Sequence, residues 1–372
     1  MKKAVFFTIM VLLMPSCSKK ETSNYSLDDV PIVIDIDAVK TDTLKINYLH
    51  YIPLETTKDC LIGSTGKVVI KNDKIYFADF RKTMSLFVFD MNGKFLFKID
   101  KRGQGPGEYL SFRDFDIQNN GDIYIFDHYK QKFLVYSPEG KYIRDIQSDL
   151  VFLSFCLFDN KMYWSHLWNQ SGEMYAYLAV YDMIDKKAEF LFKDEKYFNE
   201  INLTYYNSYI FYYSPDSIFY FSPKLSEIIY SIDKNGIHPA IGIKNLRKPS
   251  DELIDVWVKN KSDLSLIGSE KGFFLQTVNI FETDKYITFA PRNIPYNYTV
   301  LYNKQSKSSC FLSDLNIGTY NVNGSIGKYF FSVVEFDLEL RPDYKHIIES
   351  REELKNWQED DNPVIVIFEP AN

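Results

Sequence analysis

The sequence predicts an all-β fold, a six-bladed β-propeller with short helical insertions, and three observations carry that prediction. A pattern of strands and turns is written twice in succession, over 74–100 and 122–146. Similar strand cores recur further along, bringing the number to six. Strand-like segments also lie near both ends, which a ring needs in order to close. The composition agrees, because 17% of the 372 residues are aromatic, with 28 Tyr and 30 Phe, and such side chains fit half-buried pleated surfaces.

The chain opens with Lys2-Lys3, an apolar run from Ala4 to Met14, and then Pro15-Ser16-Cys17. That run is too short to cross a bilayer as a helix, which takes about 20 residues, and reads as a signal peptide over 1–16. A small residue followed by Cys resembles a bacterial lipoprotein signal, which makes Cys17 the expected lipidation site. The polar stretch after it suits a tether over 17–29, and one propeller domain is expected over 30–372. An outer-membrane lipoprotein facing the periplasm or the cell surface follows from this address. The two lysines just after Cys17 leave the side open.

In the first repeat the strands are Ile75-Tyr76-Phe77-Ala78-Asp79, Leu86-Phe87-Val88-Phe89-Asp90 and Phe95-Leu96-Phe97-Lys98-Ile99, with the turn Met91-Asn92-Gly93-Lys94. The second repeat answers with Ile123-Tyr124-Ile125-Phe126-Asp127, Phe133-Leu134-Val135-Tyr136, Ser137-Pro138-Glu139-Gly140-Lys141 and Tyr142-Ile143-Arg144-Asp145-Ile146. A unit of several short strands recurring at about 40–50 residues is the mark of a propeller blade, since one small sheet cannot bury both faces alone. Further cores stand at 162–166, 218–222, 286–290 and 329–333. Insertions around 195–206 and 244–276 break the spacing. The second of them is expected to contain a helix after Pro249-Ser250, with Leu253, Ile254 and Trp257 on one face and acids in its first turn. Another short helix is expected over 351–358, where Ser350 and Glu353 have capping-box spacing. Finally, segment 44–54 and segment 362–368 are expected to meet in one blade and latch the ring.

The stretch Lys101-Arg102-Gly103-Gln104-Gly105-Pro106-Gly107-Glu108-Tyr109, followed by Phe112-Arg113-Asp114-Phe115, resembles the G-x-G-P-G-E-Y signature of the six-bladed β-propeller lipoproteins of Bacteroides and its relatives. Ile52-Pro53-Leu54-Glu55, Cys60-Leu61-Ile62-Gly63 and Asp360-Asp361-Asn362-Pro363-Val364 resemble the ends of that family. The resemblance, to a family related in fold to NHL-repeat and TolB-like propellers, implies fold and export and says little about activity.

Physically, Gly103, Gly105, Pro106 and Gly107 describe a tight turn between blades rather than a phosphate cradle, because Pro106 removes a donor and no helix follows. In a propeller, links between blades share a face with the links between second and third strands. One rim is therefore expected to carry Arg81, Lys82, Arg102, Glu108, Arg113, His128, Lys130, His166, Trp168, Arg292 and Tyr298. Basic groups among aromatic rings suit a sugar, a carboxylate or a peptide, and equally a solvated rim. Asp79 and Asp127, at equivalent strand ends, are expected to cap turns.

The formal charge of −7 argues against nucleic-acid binding, and loss of the leader, which carries two lysines and no acid, makes the rest more acidic. Cys60, Cys156 and Cys310 are far apart with no CxxC spacing, so neither a disulfide framework nor a zinc site is expected. No HExxH, G-x-S-x-G or Walker sequence is present. Of the scattered histidines only His128 and His166 occupy corresponding blade ends, and no metal or cofactor is expected. Asp42-Thr43-Leu44 and Asp216-Ser217-Ile218 resemble an O-glycosylation sequon. The expected function is a monomeric, envelope-anchored, non-catalytic binding or scaffold propeller that recognises a glycan, peptide or partner protein. The alternative is a lyase or hydrolase acting on carbohydrate or ester, with acid and base drawn from Arg102, Glu108 and His128.

Overall fold

Phe, Tyr, Ile and Val occupy both faces of the middle strands. Every residue of Ile123–Asp127 and of Lys132–Tyr136 is buried, and so is nearly every residue of Lys74–Asp79 and Ser85–Asp90. A sheet apolar on both sides must be covered twice, and the chain does so by standing small sheets face to face around an axis. The computed structural model describes residues 25–371 apart from 43–45, 149, 169–173, 193–210, 214–218, 224, 260–272, 294–295, 298, 313–321 and 336–348. Cys17, the insertion around 195–206 and the serine and threonine of the two sequon-like triplets lie outside the described residues.

Six antiparallel sheets form the blades. Blade 1 runs from its inner strand Val68–Lys71 through Lys74–Asp79 and Ser85–Asp90 to Phe95–Ile99. Blade 2 is Asp114–Ile117, Ile123–Asp127, Lys132–Tyr136 and Tyr142–Gln147, and blade 3 is Ser154–Phe158, Lys161–Trp168, Met174–Asp182 and Lys187–Leu191. Blade 4 is Tyr212–Tyr213, Phe219–Phe221, Ile228–Asp233 and Gly236–Lys244. Blade 5 is Phe274–Glu282, Tyr286–Asn293, Val300–Asn303 and Ser308–Leu312. Blade 6 takes Gly324–Ile326, Tyr329–Val334 and Val364–Pro370 from the end of the chain and Ile46–Pro53 from its beginning. The last pairing is antiparallel, Val364 opposite Pro53 and Phe368 opposite Leu49, so the two ends meet in one blade as the sequence predicted.

The apolar clusters lie between blades rather than within them. One joins blades 1 and 2 through Tyr76, Val88, Phe115 and Leu134, another joins blades 2 and 3 through Phe126, Phe133, Phe155 and Trp164, and a third joins blades 6 and 1 through Ile365, Phe331, Phe77 and Phe89. Each such fully buried side chain contributes about 1.5–3 kcal/mol, so the ring is held by aromatic packing across every seam.

One device repeats around the ring beyond the two obvious copies. The residue that opens the hairpin between third and fourth strands folds its side chain back onto the turn. Asp90 Oδ1 accepts from the Asn92 and Lys94 N–H groups, Ser137 Oγ from Glu139 and Lys141, Asp182 Oδ1 from Ile184 and Asp185, Asp233 Oδ1 from Asn235, and Asn303 Oδ1 from Gln305 and Ser306. Gly93 completes the first of these turns with φ +81, where a Cβ would come 2.1 Å from the Pro53 carbonyl oxygen.

Before it reaches blade 6, the N-terminal segment adds a fifth, parallel strand to two other blades. Ile32–Asp35 lies beside Gly236–Lys244 of blade 4, and Lys40–Asp42 beside Ser308–Leu312 of blade 5. These strands are too short to read in advance. A short 3-10 turn at Leu27–Asp29 precedes them, and Leu27 packs within reach of Gly242.

The predicted helix after Pro249 is present as Asp251–Lys259, with Ser250 Oγ accepting from Leu253 N and Ile254 buried. The second predicted helix is not. Its segment holds a single 3-10 turn, Glu352–Leu354, with Arg351 at the N-cap and no side-chain cap. Leu354 and Trp357 are drawn into the core, and that packing rather than a capping box sets the local backbone. Among the described residues, no helix is long and apolar enough to cross a membrane.

Candidate functional site

Asp79, fully buried, ends the second strand of blade 1 and gathers seven donors. Its Oδ2 accepts from the Gly63, Ser64 and Thr83 N–H groups and from Thr83 Oγ1, and its Oδ1 accepts from Ser64 Oγ and from the Arg81 and Lys82 N–H groups. Burial would raise this carboxyl, but the bonds from Ser64, Lys82, Thr83 and Arg81 outweigh it and bring the pKa down to about 2. Asp127 repeats the device in blade 2, accepting from Leu110, Ser111, Tyr129 and Lys130. Both aspartates bind a link between blades to a hairpin, which is the capping role expected of them.

The Gly103–Tyr109 stretch is a closed loop. Gly103 N donates to Tyr109 O, Tyr109 N to Lys101 O, and Glu108 N to Gly105 O. The Glu108 carboxylate turns inward, accepting from Gly105 N at 2.8 Å, and a Cβ on Gly103 would lie 2.0 Å from its Oε2. The buried Tyr109 hydroxyl donates to Met84 O, which fixes the loop to blade 1. Tyr136 OH on the third strand of blade 2 donates to Gly107 O. Gly107 has φ +72 and packs on the Tyr142 ring of the outermost strand, where a Cβ would meet the ring at 2.7 Å. The loop therefore lies over the outer strands of blade 2. Glu108, expected on the rim, turns its carboxylate into its own loop, where it satisfies a turn rich in glycine.

The channel is built from the inner strands, whose edges have no further strand to pair with. Blades 2 and 3 meet this need with charged side chains from the preceding blade. Lys67 Nζ donates to Phe115 O and pairs with Asp114 Oδ1 at 2.9 Å, and Lys71 Nζ donates to Ile117 O. Asp114 Oδ2 accepts from Phe155 N and Asp116 Oδ2 from Leu157 N. Side chains two apart on a strand share a face, so one strand serves two neighbouring donors. Both carboxyls are fully buried. Burial pushes Asp116 up to about 6 against the pull of Lys67, Lys71 and the N–H groups, and it raises Asp114 as well.

Along this channel runs a cavity of about 290 Å³, from Gly66 and Asn323 at one end to Asn119 and Gly327 at the other. Phe158 and Phe219 meet edge to face at 5.6 Å in its wall, and so do Tyr212 and Phe281 at 5.4 Å. Asn279 stands at a bulge in the inner strand of blade 5. Val278 pairs with Ala290 and Phe281 with Thr288, which leaves two residues opposite one, and Asn279 takes φ +53. A bulge of this kind re-aims a side chain, and Asn tolerates the left-handed region. Asn323 Oδ1 accepts from Val333 N, which orients its amide.

Among the described residues, none of the predicted rim positions lines this cavity. Arg81 and Arg102 are exposed, the latter 3.6 Å from Asp100. Lys130 Nζ donates to Gly103 O and bridges to the loop. His128 lies near Arg113, and burial together with that cation lowers its pKa. His166 and Trp168 belong to blade 3 and Arg292 to blade 5, with side chains outside the described residues, as is Tyr298. Among the described residues no three His, Cys, Asp or Glu gather to hold a metal. The residues missed were Lys67, Lys71, Asp116, Asn119, Asn279 and Asn323. Lysines four apart around Val68-Val69-Ile70, and Asp114 and Asp116 alternating in an apolar strand, were the available signal.

Comparison with known proteins agrees with this architecture. A family model described as Domain of unknown function (DUF4934) matches residues 31–369. The crystal structure of a protein described as exported, from Bacteroides fragilis, superposes with a TM-score of 0.73 at 19% identity, covering 92% of this chain and 99% of that one. A member of the DUF4221 family from Bacteroides vulgatus superposes at 0.50 and 12% identity, covering 88% and 97%. A streptogramin B lyase structure reaches only 0.41 at 11% identity over 76% of this chain and 79% of that one, too distant a likeness to bear on chemistry. No curated protein matches.

Proposed function

The chain belongs to the DUF4934 family, and we propose that it serves as an exported, monomeric binding propeller held to the cell envelope by a lipid on Cys17, taking its ligand into the axial channel. The observation that carries this reading is the cavity of about 290 Å³ bounded by inner strands of the blades, close to the lower end of ligand-sized pockets. Its wall offers the amides of Asn119, Asn279 and Asn323 and aromatic rings, groups that bind and orient a ligand. Export is supported by the leader at Lys2–Met14 and by the resemblance to an exported Bacteroides protein. Of the acid and base candidates named for the alternative, a lyase or hydrolase, Glu108 accepts from Gly105 N within its own loop.

The test has two arms. Labelled palmitate should appear on the wild-type chain and not on Cys17→Ser, which should be released from membranes. A thermal-shift screen of saccharides, peptides and cell-envelope extracts should give a stabilising ligand for the wild type, and the shift should fade in Asn279→Gly. A ligand whose stabilisation is untouched there and lost in Arg81→Ala would place binding on the rim and refute the channel.

A further inference from the structure

We infer that the channel ligand is a neutral saccharide, held by the amides of Asn279 and Asn323 against the paired rings of the wall; this rests on the channel being the binding site. Three features of the wall lead to that class.

The first is charge. Among the described residues lining the cavity, the cations are Lys67 and Lys71. Lys67 is committed to Asp114 and Phe115 O, and Lys71 to Ile117 O, with the buried Asp114 and Asp116 balancing both. An anionic ligand needs a cation to replace the water it loses, and each of these would first have to leave a buried partner.

The second is the backbone. An extended peptide gains affinity by adding to an open strand edge. On blades 2 and 3 that edge is spent, because Phe115 O, Ile117 O, Phe155 N and Leu157 N are satisfied by side chains of the adjoining blade. A peptide would find no ladder there.

The third is what remains. Amides supply donors and acceptors together, which suits hydroxyl groups that do both. The edge-to-face pairs Phe158–Phe219 and Tyr212–Phe281 supply flat apolar surface, which suits the C–H face of a pyranose ring. The bulge at Asn279 places an amide on the wall, and a left-handed Asn in a strand has a cost that aiming this group would explain.

The experiment is calorimetric titration of the mature chain with neutral disaccharides (cellobiose, maltose, chitobiose), with digalacturonate and with a tetrapeptide. A neutral disaccharide should bind, with an affinity that does not change between low and high salt. Asn279→Gly keeps the left-handed backbone and removes the amide, and Asn279→Asp keeps the shape and removes a donor. Each should weaken binding about tenfold at unchanged thermal stability. Binding of digalacturonate instead, weakened by the same variants, would overturn the neutral character of the ligand, binding of the tetrapeptide would overturn the saccharide class, and either would leave the channel in place. Failure of every probe to bind, or binding indifferent to both variants, would remove the channel reading itself.

Discussion

Replacing Asn362 by alanine should open the ring. This residue is 1% exposed, and its side chain makes three bonds to the segment that enters blade 1. Its Oδ1 accepts from Ile62 N at 2.8 Å, and its Nδ2 donates to Glu55 O at 2.7 Å and to Cys60 O at 2.9 Å. Alanine would leave the Ile62 N–H and the Cys60 carbonyl without this partner, while Glu55 O keeps the Cys60 thiol. At about 1–3 kcal/mol for each of these two groups, the loss is about 2–6 kcal/mol. That is a large fraction of the roughly 5–15 kcal/mol that holds a typical domain together. Asn362→Asp has the same shape but sets an acceptor against two carbonyls, so it should be at least as damaging. Urea denaturation followed by tryptophan fluorescence is a direct assay, since Trp357 Nε1 donates to Asn362 O and reports on the same site. If both variants move the stability by less than about 1 kcal/mol at unchanged denaturant slope, the latch does not depend on these bonds.

Ending the chain after Asp361 removes the strand that pairs with Ile46–Pro53 and Tyr329–Val334, so the truncated protein should lose its cooperative thermal transition rather than a mobile tail. Asp116, held near 6, makes the folded state the tighter proton binder between about pH 4 and 6, so it subtracts from stability as pH rises through that window. Asp116→Asn should therefore gain on the wild type by about 2–3 kcal/mol from pH 4 to 7, read as the difference between their urea midpoints at each pH. Asp79, held at about 2, has the opposite sign: its contribution is complete above about pH 4 and lost toward pH 2, so the deficit of Asp79→Asn at neutral pH should shrink on acidification. Gly107→Ala must adopt φ +72 and press on the Tyr142 ring, a cost of about 1–2 kcal/mol from the backbone with the clash in addition, visible as a lower melting temperature.

Much of the ring was legible because its information is local. The strands around Ile75, Leu86, Ile123 and Phe133 announce themselves by aromatic and β-branched runs, and the turns by Asp or Ser followed by Gly. The meeting of the two ends was also readable, because a ring with strands left over at each end has one way to use them. The parallel strands Ile32–Asp35 and Lys40–Asp42 were not, since their pairing depends on blades that lie over two hundred residues later. The capping box at Ser350 failed for a related reason: its spacing was right, but burial of Leu354 and Trp357 decided the backbone.

The site divides along the same line. Residue types and their order alone determined an exported-looking leader, an all-β ring of six blades, a glycine-rich turn and aspartates suited to capping, because strand periodicity, turn chemistry and charge act over a few neighbouring positions. Tertiary structure decided that Glu108 faces its own loop, that Lys67, Lys71, Asp114 and Asp116 seal the inner strand edges of two blades, and that Asn279 and Asn323 share a channel. Those side chains come from different blades, and their encounter is set by the radial stacking of sheets, a distance that no stretch of sequence records.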